Sequence, residues 1–407
     1  MNFLVPKLSS HLQYSVGCIE GPSSEPILSN SLNFFLNDVK KNISMHEEEW
    51  NIYKKYTNPF EFIHTHIPSK NKCIGKYHPL SRSYFKMVEM TKFFELDRCL
   101  DPAMNCFHLA EGPGGFIEAI VFIRGNKNDI YTGMTLLDEN KNMNIPAWKK
   151  SNSFLKSNPN VIIEKGADGT GNIISIQNLD LVDAKYGNSM HLITADGGFD
   201  FSADFDNQES NMTRLLFSQI VYAIGLQKNG GSFVLKVFDI FMSQTVDMIA
   251  ILASFYDKVF ITKPQTSRYA NSEKYIVCLG FLGENRVKYY PMIRNSFEKM
   301  LALDERSTIS RFLTSPIPHF FMSRLDEYNA IFGQMQLEYI HSTITLIEDP
   351  ARDFKIMSLQ KTNIQKCIRW CIQYGVPYNN IIPSNSFNHY TPLRNCFMDT
   401  RPFIFSP

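Results

Sequence analysis

Long apolar runs are missing from this chain. The most apolar helical window, 246–256, contains Asp247 and is followed by Asp257 and Lys258, so no segment reaches the roughly eighteen residues of a spanning helix. A membrane-spanning reading is excluded on that ground. Paired cysteines are missing too: Cys18, Cys73, Cys99, Cys106, Cys278, Cys367, Cys371 and Cys396 are scattered with no CxxC. Reduced, structural thiols are the expectation. The opening MNFLVPKLSS has no basic region followed by an apolar core and a cleavage site, which predicts an intracellular, cytoplasmic protein, with the nucleus left open. Charge of one sign is also lacking, since 41 Lys and Arg face 40 Asp and Glu for a net +1. That balance excludes a protein that coats nucleic acid by bulk electrostatics, and any such contact must come from a local basic patch. His64, His66, Cys73 and His78 lie near one another in sequence, but their spacing matches no standard zinc finger and no metal is expected. No internal repeat or low-complexity tract appears.

What the chain does have is a regular middle. Short apolar runs at 104–110, 129–135, 160–165, 190–195, 231–238, 257–262 and 275–282 alternate with amphipathic runs at 116–124, 210–228 and 241–255, after a helical stretch at 82–95. This alternation predicts an α/β domain around a mainly parallel sheet. Asn229-Gly230-Gly231 is expected to cap the helix at 210–228. With 407 residues, two or three units are expected. The pattern divides into an N-terminal extension at 1–75, a central domain at 76–285 and a helical C-terminal region at 286–407.

Residues 108–116, HLAEGPGGF, follow a predicted strand and open a predicted helix, the context of a nucleotide-binding turn. Gly112, Gly114 and Gly115 let a ligand approach the backbone, Pro113 stiffens the turn, and helix N-terminal amides face the ligand. The turn lacks the basic and hydroxyl residues of a P-loop. Asp196 ends the fourth strand in ITADGGFD, where an open α/β sheet carries its chemistry. Lys236 lies late in the fifth, GSFVLKVFD, and a charge inside so apolar a strand is costly unless paired. Snorkelling at the strand end is the plainer alternative.

EGPGGF resembles the S-adenosylmethionine motif of FtsJ-like RNA 2′-O-methyltransferases, in particular the cap-specific mRNA branch. The resemblance spans about 78–283 and implies a Rossmann-like class I sheet, mostly parallel with an antiparallel last strand. It places Glu111 near the methionine or ribose, and Gly112, Pro113, Gly114, Gly115 and Phe116 around the sulfonium. His108 and Ala110 stand where bacterial members carry an acid and a glycine. Thr135 occupies the usual position of the ribose-binding carboxylate, with Asp138 as a substitute. Asp168 in GADGTG corresponds to the adenine-edge residue, and an Asx turn is the plainer reading. Lys86, in SRSYFKMVEM, and Glu273, in KPQTSRYANSEKYIVC, complete with Asp196 and Lys236 a catalytic Lys-Asp-Lys-Glu order like the family's, and Asp196 also borders the cofactor. Ser267, Arg268, Asn271 and Ser272 occupy the family's substrate-facing loop, Arg268 as a phosphate contact.

The resemblance implies S-adenosylmethionine as cofactor and methyl transfer to a ribose hydroxyl near the cap. RNA, capped mRNA and other capping or transcription components are the implied partners, and no membrane. Either a neutral Lys236 takes the hydroxyl proton or a charged one stabilises the alkoxide. Ribosomal or transfer RNA methylation, and an inactive RNA-binding module with this fold, are the alternatives. The Asn-, Ile- and Phe-rich composition resembles AT-rich genomes such as those of large DNA viruses.

Overall fold

The computed structural model describes residues 1–8, 15–21, 25–68, 70–137, 147–198, 208–304 and 306–381. Asp138, the 199–202 part of TADGGFDFS and Cys396 lie outside the described residues. The chain begins with β1 (Asn2–Val5), β2 (Val16–Glu20), α1 (Asn30–Met45) and α2 (Glu47–Thr57), and α3 (Ser83–Phe94) then leads into the central unit. That unit runs β3 (Asn105–Leu109), α4 (Gly115–Arg124), β4 (Ile130–Met134), α5 (Asn152–Ser157), β5 (Val161–Ile163), α6 (Ile176–Tyr186), β6 (Met190–Ala195) and α7 (Gln208–Leu226). It continues with β7 (Gln227–Val237), α8 (Ser243–Phe255), β8 (Tyr256–Thr262) and β9 (Lys274–Phe281). The end is α9 (Gly283–Ala302), β10 (Ile309–Leu313), α10 (His319–Glu348) and α11 (Arg352–Tyr374).

Eight strands form one sheet in the order β1-β8-β9-β7-β6-β3-β4-β5. The pairs β3–β4, β3–β6, β4–β5 and β6–β7 are parallel, whereas β9 runs antiparallel to both β7 and β8. The mostly parallel sheet with an antiparallel last strand agrees with the sequence expectation. Strands such as MHLITA carry apolar residues on both faces because helices bury both faces of the sheet. Phe107, Ile193 and Leu235 point into the core beneath α7 and α8, and Cys106, Leu192 and Val234 into the one beneath α3 and α4. From β3 the chain crosses through α4 to β4 on one side, while β6 lies on the other. Strand order therefore reverses at β3, and a crevice opens beyond the carboxyl ends of β3 and β6.

Two features differ from expectation. The segment before α3 contributes β1, which pairs with β8 at the sheet edge from Asn2↔Thr262 to Val5↔Val259, so the N-terminal residues extend the central sheet. The glycines after α7 do not cap it: β7 starts at Gln227, and Gly230 takes its positive φ of 78° inside that strand. The Gln227 side-chain amide ties the irregular start together by donating to the carbonyls of Met190, His191 and Ser232.

Candidate active site

Four charged side chains from separate elements converge beyond the strand ends. Lys86 lies on the inner face of α3, and its Nζ contacts Glu273 Oε1 at 2.6 Å. Lys236 Nζ donates to the main-chain carbonyl of Asp196 at 2.7 Å and lies 3.3 Å from Asp196 Oδ1. Lys236 is thus paired rather than merely snorkelling. Gly198 lies against this amine, since a Cβ there would sit 3.0 Å from Nζ. Glu273 is deeply enclosed, which favours its neutral form, yet the ammonium groups of Lys86 and Lys236 outweigh burial and hold its carboxyl well below the usual range. Both ion pairs are largely buried, with Lys236 and Asp196 somewhat more open than Lys86.

Tyr275 joins the two pairs, a residue not anticipated from the sequence. It stands opposite Lys236 in the β7–β9 register. Its hydroxyl lies 3.2 Å from Asp196 Oδ1 and 3.3 Å from Glu273 Oε1, and accepts from Lys86 Nζ at 3.4 Å. Burial, reinforced by the two carboxylates, keeps this phenol protonated far above its ordinary range. The one available signal was its position two residues after Glu273, the spacing that repeats a side-chain direction along extended chain leading into β9.

The polar residues of the 263–273 loop, expected to face the substrate, make hydrogen bonds within the protein, with Ser267 and Ser272 buried, Arg268 half-buried and Asn271 exposed. Ser267 Oγ donates to Glu273 Oε1 at 2.9 Å. Arg268 forks onto the buried Glu61 through Nε at 3.0 Å and Nη2 at 2.6 Å. Burial would raise the Glu61 carboxyl, but Arg268 and Arg82 bring it down to about 2. Asn271 gives its carbonyl and Oδ1 to the buried ammonium of Lys263, whose third acceptor is the Glu273 carbonyl. Ser272 Oγ donates to Gln208 Oε1. Behind the loop, Glu89 on α3 accepts from the amides of Gln265 and Thr266 and from Trp370 Nε1 of α11.

The glycine turn sits at the switch point. Glu111 turns its carboxylate onto the amides of Phe116 at 2.5 Å and Ile117 at 3.3 Å, capping α4. Burial raises this carboxyl well above its usual range, and the nearby Asp196 adds to the effect. Gly114 needs its freedom at φ 106°, and a Cβ on Gly112 would meet the Ala147 carbonyl oxygen at 2.4 Å. Gly115 lies equally close to Ser81 and Ser83. Pro113 is held through its carbonyl by Ser151 Oγ. Thr135 Oγ1 accepts from the Gly112 amide at 3.4 Å, linking the turn to the end of β4. Asp168 forms the Asx turn, its Oδ1 accepting from the Thr170 amide and hydroxyl and from Asn178 Nδ2. A glycine turn at a switch point with the Asp196 carboxylate beside it suits a cationic, nucleoside-bearing cofactor, and S-adenosylmethionine has that chemistry, while Glu111 is committed to capping α4.

Cys73 Sγ lies 3.9 Å from His78 Nδ1, but His64 and His66 do not join them; among the described residues the converging set of three is Cys99, Asp101 and His191. It lies at the opposite end of the strands. His191 Nδ1 accepts from the Asn105 amide, so Nε2 carries the proton that faces Asp101 Oδ2 at 2.6 Å, and Lys228 also holds that oxygen. This is an ion-pair cluster with its ligand atoms already engaged.

The sheet order and the switch-point glycine turn are those of the S-adenosylmethionine-dependent α/β methyltransferase fold class. Residues 79–281 match the FtsJ-like methyltransferase family, and this part of the chain is an FtsJ-like methyltransferase domain. Over 391 residues the chain is 28% identical to cap-specific mRNA (nucleoside-2′-O-)-methyltransferase 2 of Mus musculus, covering 92% of this chain and 48% of that protein. Over 177 residues it is 36% identical to cap-specific mRNA (nucleoside-2′-O-)-methyltransferase 1 of Trypanosoma cruzi, covering 42% of this chain and 46% of that protein. The chain thus spans about half the length of the curated relatives it matches.

Proposed function

We propose that this protein transfers a methyl group from S-adenosylmethionine to a ribose 2′-hydroxyl of RNA, at the first transcribed nucleotides of capped mRNA. The observation that carries the proposal is the Lys236 amine, fixed by the Asp196 carbonyl and carboxylate at the more open side of a four-residue charged cluster. The similarity to cap-specific enzymes supports the choice of substrate. When bound, the cofactor supplies a methyl group on a cationic sulfur that an oxygen nucleophile can accept. The chain must bring that oxygen into line and manage its proton.

Lys236 holds the ribose oxygen by N–H donation and stabilises the charge that grows on it, while the hydroxyl proton leaves to solvent. Asp196 fixes the direction of that amine. Lys86 and Glu273 form the inner pair, and the protonated Tyr275 hydroxyl keeps both carboxylates in place. Incubating capped RNA with labelled cofactor and mapping the product by mass spectrometry tests the reading. Label on the 2′-oxygen of the first or second nucleotide is expected. Label confined to ribosomal or transfer RNA moves the enzyme to another substrate, and cofactor binding without turnover on any RNA removes the catalytic assignment.

A further inference from the structure

The chain's near-neutral charge conceals a segregation. Residues 62–88 contain Lys70, Lys72, Lys76, Arg82 and Lys86 and no acidic residue, and residues 354–381 contain Lys355, Lys361, Lys366 and Arg369 and no acidic residue. Removing those nine from the 41 Lys and Arg leaves 32 against all 40 Asp and Glu, so the remainder carries a net −8.

Although far apart in sequence, the two stretches are stitched side by side. Gln360 Nε2 donates to the Pro68 carbonyl at 3.4 Å and Asn379 Nδ2 to the Cys73 carbonyl at 3.0 Å. The Asn379 amide donates to Ile74 at 2.7 Å, and the Lys76 amide to Pro377 at 2.9 Å. Lys72, Lys76, Lys355, Lys361, Lys366 and Arg369 are exposed on the joined elements. The first stretch then runs into the site: the Leu80 amide is anchored on Glu118 of α4, and Ser81 and Ser83 pack against Gly115. Like charges brought together repel unless a polyanion neutralises them. Exposed amines on a broad face suit phosphates, which supply affinity without reading bases.

We propose that this face binds the phosphodiester backbone of the RNA substrate outside the crevice. The proposal rests on the reading of the site as an RNA methyltransferase. The test uses the full chain with Lys72, Lys76, Lys361 and Arg369 changed to Gln, and a second variant with Lys361→Gln and Arg369→Gln alone should the first fail to fold. Binding of uncapped single-stranded RNA is measured by fluorescence anisotropy across salt. At about 0.7 in log–log slope per phosphate contact, four lost contacts remove about 3 from the slope, so a rise from about 50 to 200 mM salt weakens the variant about 50-fold less than the parent. The pair variant shows about half the slope change. Methylation of a capped dinucleotide, too short to span the face, stays at the parent rate, while KM for long capped RNA rises.

An unchanged salt slope and an unchanged KM for long RNA overturn the proposal. So does a parent protein that binds polyglutamate more tightly than RNA of equal charge, which makes the partner an acidic protein. A parent that binds RNA with the steep slope yet methylates neither capped substrate keeps the face and overturns the functional reading instead.

Discussion

Replacing Tyr275 with Phe removes one hydroxyl and leaves the ring, whose packing beside Phe116 needs no oxygen. That hydroxyl lies 3.2–3.4 Å from Asp196, Glu273 and Lys86 and can donate its single proton to one carboxylate at a time. A hydrogen bond to a charged partner contributes about 1.5–3 kcal/mol, and these separations are long, so about 1.5 kcal/mol is the appropriate figure. If that energy holds the carboxylates in working position, the single-turnover rate falls about tenfold. Stability should change by less than about 1.5 kcal/mol, because Glu273 keeps Lys86 and Ser267 and Asp196 keeps Lys236, so no buried charge is orphaned. The shape of the pH–rate profile should not change, because the phenol is protonated throughout the working range and takes no proton. The assay is single-turnover methylation of a short capped RNA from acid to alkaline pH, with cofactor and RNA affinities measured separately. An unchanged rate refutes the positioning role. A rate loss matched by an equal loss of cofactor affinity refutes it as well, since the residue would then be acting on binding.

Lys236→Ala should lower the saturated rate by about 10²–10³, the loss for removing one preorganised donor, while cofactor and RNA affinity hold, and Lys236→Arg should not restore it because the planar fork cannot reproduce one amine. Near-normal turnover in Lys236→Ala would return the residue to a structural role. Arg268→Ala should destabilise the fold by about 3 kcal/mol, at the low end for a broken buried pair because Arg82 remains near Glu61. The Glu61 carboxyl is depressed in the folded state, so its stabilisation is present above its unfolded value near pH 4 and is lost as pH falls towards about 2. Urea unfolding of the parent should show that acid loss and the Arg268→Ala protein a flatter one; identical curves would show that the pair does not hold the loop.

The strands and the charged cluster were readable because both follow local rules. Apolar runs such as MHLITA and YIVCLGF gave strand positions to within a residue or two, and Asp196 and Lys236 stood out at the ends of apolar strands, whereas Lys86 and Glu273 were found only through the resemblance to the FtsJ-like motifs. The partners of the 263–273 loop were not readable. Ser267, Arg268, Asn271 and Ser272 look like solvated loop residues in isolation, and what engages them is Glu61, Lys263, Gln208 and the carboxylate of Glu273 itself, with Asn271 still exposed. No periodicity links position 61 to position 268. Tyr275 was hidden differently, since an aromatic in a buried strand is ordinarily packing and only its hydroxyl distinguishes it here. β1 was missed because four residues are too few to show an alternation.

The bond from Trp370 to Glu89 bears on where this protein can be cut. Glu89 is the beam between α3 and the site loop, and one of its donors comes from α11, well beyond the 79–281 stretch that matches the family. A fragment trimmed to that stretch would strip Trp370 from a buried carboxylate and let water reach the back of the loop that carries Glu273. The stretch that defines the family and the stretch that must be kept for a rigid site therefore have different borders in this protein: the first ends near β9, and the second reaches at least to α11, within the 92% of the chain that aligns with the Mus musculus relative.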